Sequence, residues 1–147
     1  MALVSDLPTV AHAIQQSVAP VFLLTGVGSL LGVLANRLGR IVDRSRALRA
    51  AGAEAVARAA DEMALLQRRS RLVHGAIRYC TLCALLICVV IAVLFVGVEL
   101  GSDFSSLVAV LFIGGMASLI AGLVCFLREI SVATSRLEDR PPPPPPA

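Results

Sequence analysis

At 147 residues the chain is the size of one domain, and 57% of it is hydrophobic with a mean hydropathy of +0.85, above the roughly 45–50% apolar share of soluble globular domains. That excess argues against an ordinary soluble fold and points to a bilayer. The formal net charge of +3 reads as a topology signal rather than a nucleic-acid footprint, because basic DNA binders do not usually carry several membrane spans.

The chain opens on Ser5-Asp6-Leu7-Pro8, a helix start in which Ser5 or Asp6 caps and Pro8 is tolerated in the first turn. No basic residue precedes the first apolar run and no small-residue cleavage site is evident, so a retained N-terminus is expected rather than a signal peptide. The segment that follows is semi-polar. Pro20 cannot donate a backbone hydrogen bond and clashes with the carbonyl of Gln16, which predicts a kink there. His12, Gln15, Gln16 and Pro20 therefore form a candidate outer polar site. Such groups suit a pore or ligand mouth, but an interfacial helix joined to a span by a proline bend explains them more simply.

Three runs carry no charged side chain: Val18 to Ala35, Cys80 to Val98 and Leu107 to Leu127. A hydrocarbon core of ~30 Å needs about 20 helical residues, so each run qualifies as a span. Each also carries small residues at close spacing. Gly28 and Gly32 lead into Ala35 and Gly39 in the first; Cys80, Ala84, Cys88 and Ala92 recur every four residues in the second; Gly114, Ser118 and Gly122 do so in the third. Small faces let helix backbones approach closely in lipid, so these are candidate packing seams within the chain or between copies.

Beyond Arg37 the first helix is expected to continue, since Leu34, Leu38, Ile41, Ser45 and Leu48 form a stripe at spacings of four and three. A second stripe (Val56, Ala59, Met63, Leu66, Ser70, Val73, Ile77) leads into the next span, and the two predict an antiparallel helical hairpin. Its arms are unequal by ~15 Å at helical rise if the turn lies at Ala51-Gly52-Ala53. Either the second arm bends, with Gly75 a candidate, or the turn lies nearer Val56 to Arg58.

Glu99, Gly101, Ser102 and Asp103 mark a tight acidic turn between the last two spans, and the prolines 141–146 read as a solvated polyproline tail. The four cysteines, Cys80, Cys83, Cys88 and Cys125, all lie in spans, and neither His12 nor His74 completes a metal-ligand spacing, so no metal site and no cofactor are expected. Small apolar residues in a lipid-embedded helix account for the thiols.

All 13 basic residues are Arg, which with the Ala-rich composition points to a bacterial genome of high GC content. Ten of them lie between the first and second spans and none lies in the loop from Glu99 to Ser106. Cationic loops stay in the cytoplasm, which places the N-terminus outside, the hairpin inside and the C-terminus cytoplasmic. At the exit of the first span, Asn36, Arg37, Arg40, Asp43 and Arg44 form a polar cluster, with Asp43 within reach of Arg40 and Arg46. Three readings compete, in this order: a topology anchor on anionic headgroups, a structural knot bonding to neighbouring helices, and a charged ring at a pore mouth.

Ala13 to Gln15, Ala19-Pro20-Val21-Phe22-Leu23-Leu24, Asn36-Arg37-Leu38 with Arg40-Ile41-Val42-Asp43-Arg44, and Arg69-Ser70-Arg71-Leu72 with Ala76-Ile77 resemble the uncharacterised bacterial membrane family catalogued as domain of unknown function 2721. The resemblance covers roughly Ala11 to Arg128 and implies a small multi-pass inner-membrane protein; it supplies no activity. His74-Gly75 departs from the more polar, Asn-containing pair expected at that point of the pattern.

The expected architecture is all-α: three transmembrane helices at about 18–36, 79–99 and 107–127, the first two extended into a cytoplasmic antiparallel helical hairpin over 37–78. A single integral membrane domain spans 1–137, and a disordered proline-rich tail follows over 138–147. The leading functional expectation is a non-enzymatic inner-membrane protein that acts as an oligomeric interaction or scaffold protein. It would form a homo-oligomer through its seams, with an Arg-rich hairpin meeting anionic lipid headgroups or a cytoplasmic protein partner, and no nucleic acid. The alternative is a homo-oligomeric channel lined by the first helix. An enzyme, with Asp43 and His74 meeting across the hairpin, ranks third because no nucleophile, metal set or phosphate loop accompanies them.

Overall fold

The computed structural model describes residues 7–102 and 104–138, with side chains over 14–133 apart from Ala53, Ala55, Val56 and Asp103. The expected cap at Ser5 or Asp6, the side chain of His12, Val56 in the second stripe, Asp103 of the acidic turn and the proline tail thus lie outside the described residues. The chain is all-α, with α1 (Leu7–Ala50), α2 (Ala53–Arg58), α3 (Ala60–Leu100) and α4 (Ser105–Glu138). Three of these contain stretches long and apolar enough to cross a membrane: Ile14–Ala50, Ala60–Leu100 and Ser105–Ala133. This is a membrane protein in which α1 and α3 run on well past the apolar segments, as the two continuing stripes predict.

α3 is central, packing against both α1 and α4. Its buried stripe, Val73, Ala76, Cys80, Cys83, Ile87 and Val90, alternates steps of three and four and so stays on one side of a helix with 3.6 residues per turn. α1 contributes Pro20, Val27, Leu34 and Ile41, one every seven residues, the spacing at which a helix keeps one edge against a neighbour. Below the apolar segments the same seam continues through Leu38, Ser45 and Leu48 of α1 and Met63, Leu66 and Ser70 of α3, which are buried or half-buried.

α1 is continuous through Pro20, and Ser17 in the preceding turn donates to the Ile14 carbonyl at 2.8 Å. The hairpin connection resolves the unequal arms. α1 ends at Ala50, Gly52 takes a left-handed φ of 94°, and the six-residue α2 absorbs the surplus before α3 begins. Gly75 lies inside an uninterrupted α3, where a Cβ would sit 3.7 Å from the Cys125 Sγ. At the other end Gly101 closes α3 with φ 59°, its N–H bonding to the Val98 carbonyl and the next N–H, of Ser102, to Gly97. That pairing satisfies carbonyls a helix end would otherwise leave open.

The α3–α4 contact is close because α4 presents small residues. A Cβ on Gly122 would lie 2.9 Å from the Cys80 Sγ and 3.4 Å from the Ala76 carbonyl oxygen, and one on Gly115 would lie 3.4 Å from Ile87 Cδ1. Ser118 between them donates its hydroxyl proton to the Tyr79 carbonyl at 2.9 Å. Of the predicted seams, that of α4 is therefore used within the chain: Ser118 and Gly122 are buried and Gly114 packs near Leu86. In α3 only Cys80 of the four-residue series is buried; Ala84 is half-buried, and Cys88 and Ala92 face outward. Successive steps of four rotate about 40° around a helix, so such a series leaves the contact within two turns.

Candidate functional site

At the hairpin end of the apolar segments three helices converge on one carboxylate. Glu129 of α4 is fully buried. Its Oε2 accepts from Arg37 Nη1 of α1 at 2.5 Å, and its Oε1 accepts from Arg69 Nη2 and Nε of α3 at 2.7 and 3.0 Å. The Arg37 guanidinium also lies over the Phe126 ring, 5.1 Å from its centroid, an arrangement that favours a cation on the aromatic face. A buried carboxylate is tolerable only with such partners, since desolvating an unpaired charge costs several kcal/mol.

The chain places each member for a local reason. Arg37 follows the apolar run of α1 by two residues and Glu129 follows that of α4 by two, so both heads reach the boundary at which charge is affordable. Glu129 continues the Gly115, Ser118 and Gly122 face of α4 after two further turns. The packing that buries those small residues therefore buries the carboxylate as well. Further along the hairpin, Arg44 of α1 donates from Nε and Nη2 to Glu62 of α3 at 2.7 and 3.2 Å, in a more exposed setting.

The predicted polar cluster is thus divided. The half-buried Arg37 and the exposed Arg44 make interhelical ion pairs, whereas the side chains of Asn36, Arg40 and Asp43 are exposed and take no part in the hydrogen bonds or ion pairs among the described residues. The pairing of Asp43 with Arg40 or Arg46 that their spacing permits is not formed. Two members of the junction, Glu129 and Arg69, were not among the candidate residues. Periodicity held the signal: an acidic residue in register with a small-residue seam must find a cation when that seam packs.

At the opposite end, Gln16 and Pro20 line a cleft of about 680 Å³ with Val90 and Gly97 of α3 and Phe104 and Phe112. Gln15 is exposed outside it. Among the described residues the Gly28 and Gly32 seam of α1 has no packing partner: no heavy atom lies within 4 Å of a Cβ built at either, nor at Gly26 or Gly39. His74 is exposed and donates from Nδ1 to the Ser70 carbonyl at 2.8 Å, and no ion pair joins it to Asp43 among the described residues. Cys80 and Cys83 are buried in helix packing, while Cys88 is exposed.

A family model described as a protein of unknown function, DUF2721, matches residues 17–138. The chain belongs to that family. No curated protein and no solved structure matches it. The matched region of this DUF2721 protein takes in Arg37, Arg69 and Glu129 together with all three apolar segments, so the family pattern spans the whole ion-pair junction.

Proposed function

We propose that this protein works by self-association in the bacterial inner membrane, as a non-enzymatic interaction or scaffold protein whose copies meet through α1. One observation carries the reading: from Thr25 onward the face of α1 opposite its buried stripe is small and polar, whereas the turns before it carry the exposed Val18, Val21 and Phe22. Thr25, Ser29, Gly32, Asn36, Gly39 and Asp43 lie roughly 160–200° around the helix from Val27, Leu34 and Ile41, and all six are exposed. Against lipid the glycines would leave an unfilled groove in the helix surface; against a second α1 they permit close approach, and the Asn36 amide at the headgroup end of the face bonds across the contact. The ten Arg of residues 37–78 orient the hairpin to the cytoplasm, where they favour anionic headgroups or an acidic protein partner.

The test is the oligomeric state of the full chain in lipid nanodiscs, by native mass spectrometry and by crosslinking through a cysteine placed at Ser29. A concentration-dependent oligomer is expected, and Gly32→Leu should return it to monomer without lowering helix content. A wild-type chain that stays monomeric at every lipid ratio sinks the reading. Cysteine labelling at Ser45 from the cytoplasmic side only is the expected orientation.

A second reading, a homo-oligomeric channel, rests on the same face. Thr25 and Ser29 are exposed there with their hydroxyls donating to the Val21 and Thr25 carbonyls at 3.2 and 3.1 Å, which leaves oxygen lone pairs to line a wet interior. Liposome flux separates the two: association without flux leaves only the scaffold.

A further inference from the structure

Beside the Glu129 junction a groove of about 470 Å³ opens between α1, α3 and the end of α4, and Arg37, Arg40, Arg44, Arg69 and Glu62 line it. Positions 37, 40 and 44 follow one another at steps of three and four, so they share one flank of α1. Four guanidiniums are gathered here against two carboxylates, Glu62 on the groove wall and Glu129 behind it. The excess of positive charge repels itself unless an anion joins it.

The arginines are already ordered for such an anion. Arg37 and Arg69 keep 29% and 26% of their side chains exposed while Glu129 holds them. Arg37, which lines the groove, uses only Nη1 in that pair, which leaves its Nε and Nη2 outside it as donors. Glu62 fixes Arg44 through Nε and Nη2, and Arg40 is exposed and uncommitted. Planar forks held in place with N–H groups to spare suit the oxygens of a phosphate ester.

Depth narrows the source of the phosphate. Arg37 and Glu129 stand two residues beyond the apolar runs of their helices, the level of lipid headgroups, and basic pockets between helices at that level take anionic headgroups. We propose that this groove binds the phosphate of an anionic phospholipid, with Glu129 as the positioning residue that holds Arg37 and Arg69 in place. The site is complete in one copy and does not depend on association through α1.

The full chain, purified in a zwitterionic detergent, is exposed to phosphatidylglycerol or to phosphatidylcholine and examined by native mass spectrometry. Phosphatidylglycerol should be retained preferentially. Arg40→Gln, at an exposed residue with no partner, should lower that retention roughly tenfold, the loss expected for one charge-assisted contact, while thermal unfolding is unchanged. Arg78→Gln, at an exposed arginine outside the groove, should leave retention as it was. Equal retention of the two lipids, or equal loss in both variants, would overturn the site. Displacement of phosphatidylglycerol by millimolar inorganic phosphate would overturn the lipid as its occupant and transfer the groove to a soluble phosphate.

Discussion

Arg69 and Glu129, 60 residues apart in the chain, meet through two hydrogen bonds to a single carboxylate oxygen while Arg37 takes the other. α1 and α4 each pack mainly against α3, so this carboxylate is a polar link that ties α1 to α4 directly. Its burial sets its energetic weight, because removing one partner leaves charge without compensation in a desolvated place.

Glu129→Ala should therefore destabilise the protein by about 3 kcal/mol, seen as a fall in Tm of roughly 10 °C in detergent. Glu62→Gln, which breaks the exposed Arg44 pair, should leave Tm nearly unchanged, because solvent screens such pairs. Equal effects from the two substitutions would mean that the Glu129 junction is no more desolvated than the outer pair.

The small residues of α4 and α1 should respond in opposite ways. Gly122→Val brings a branched side chain against Cys80 Sγ and the Ala76 carbonyl, and forcing the helices apart should cost about 1–3 kcal/mol. Gly28→Ala meets no atom within 4 Å in a single copy and should raise monomer stability by up to ~1 kcal/mol through helix propensity. Thermal unfolding of the two variants under monomeric conditions checks the contrast.

Thiol labelling reads the same packing without mutation. A photoactivated carbene probe dissolved in the lipid, which inserts on contact and needs no thiolate, should label Cys88 of the folded protein well before Cys80 and Cys83, and all should be labelled once the chain is unfolded in dodecyl sulfate. Peptide mass spectrometry of timed samples gives the order. Early labelling of Cys80 would show that the Gly122 contact opens readily.

Much of the architecture was legible because it depends on local chemistry. Uncharged runs of about 20 residues can only be satisfied as helices in lipid, and the stripe from Leu34 to Leu48 forces α1 to continue past the charged exit. The hairpin turn was less legible: Gly52 and the Val56–Arg58 segment both carried signal, and the chain uses both, breaking at Gly52 and again after Arg58 with α2 between the two breaks. The candidate site was legible in part. Arg37 and Arg44 stood out as charges at a span exit, but nothing local distinguished them from Asn36, Arg40 and Asp43, because inward and outward positions differ only by rotation around a helix whose neighbour is not yet known.

The sequence by itself determined how many helices cross, where their apolar segments begin and end, and which residues are small enough for close packing, since each follows from hydropathy, length and side-chain volume along a short stretch. Only the tertiary structure decided which small residues are spent on packing. Gly122 is closed against Cys80, while Gly28 and Gly32 are left open. It alone also decided that Glu129 becomes the buried partner of Arg37 and Arg69. A carboxylate beside a span is unremarkable until the third helix is laid against the second in one particular register, and that register brings together charges 60 and 92 residues apart.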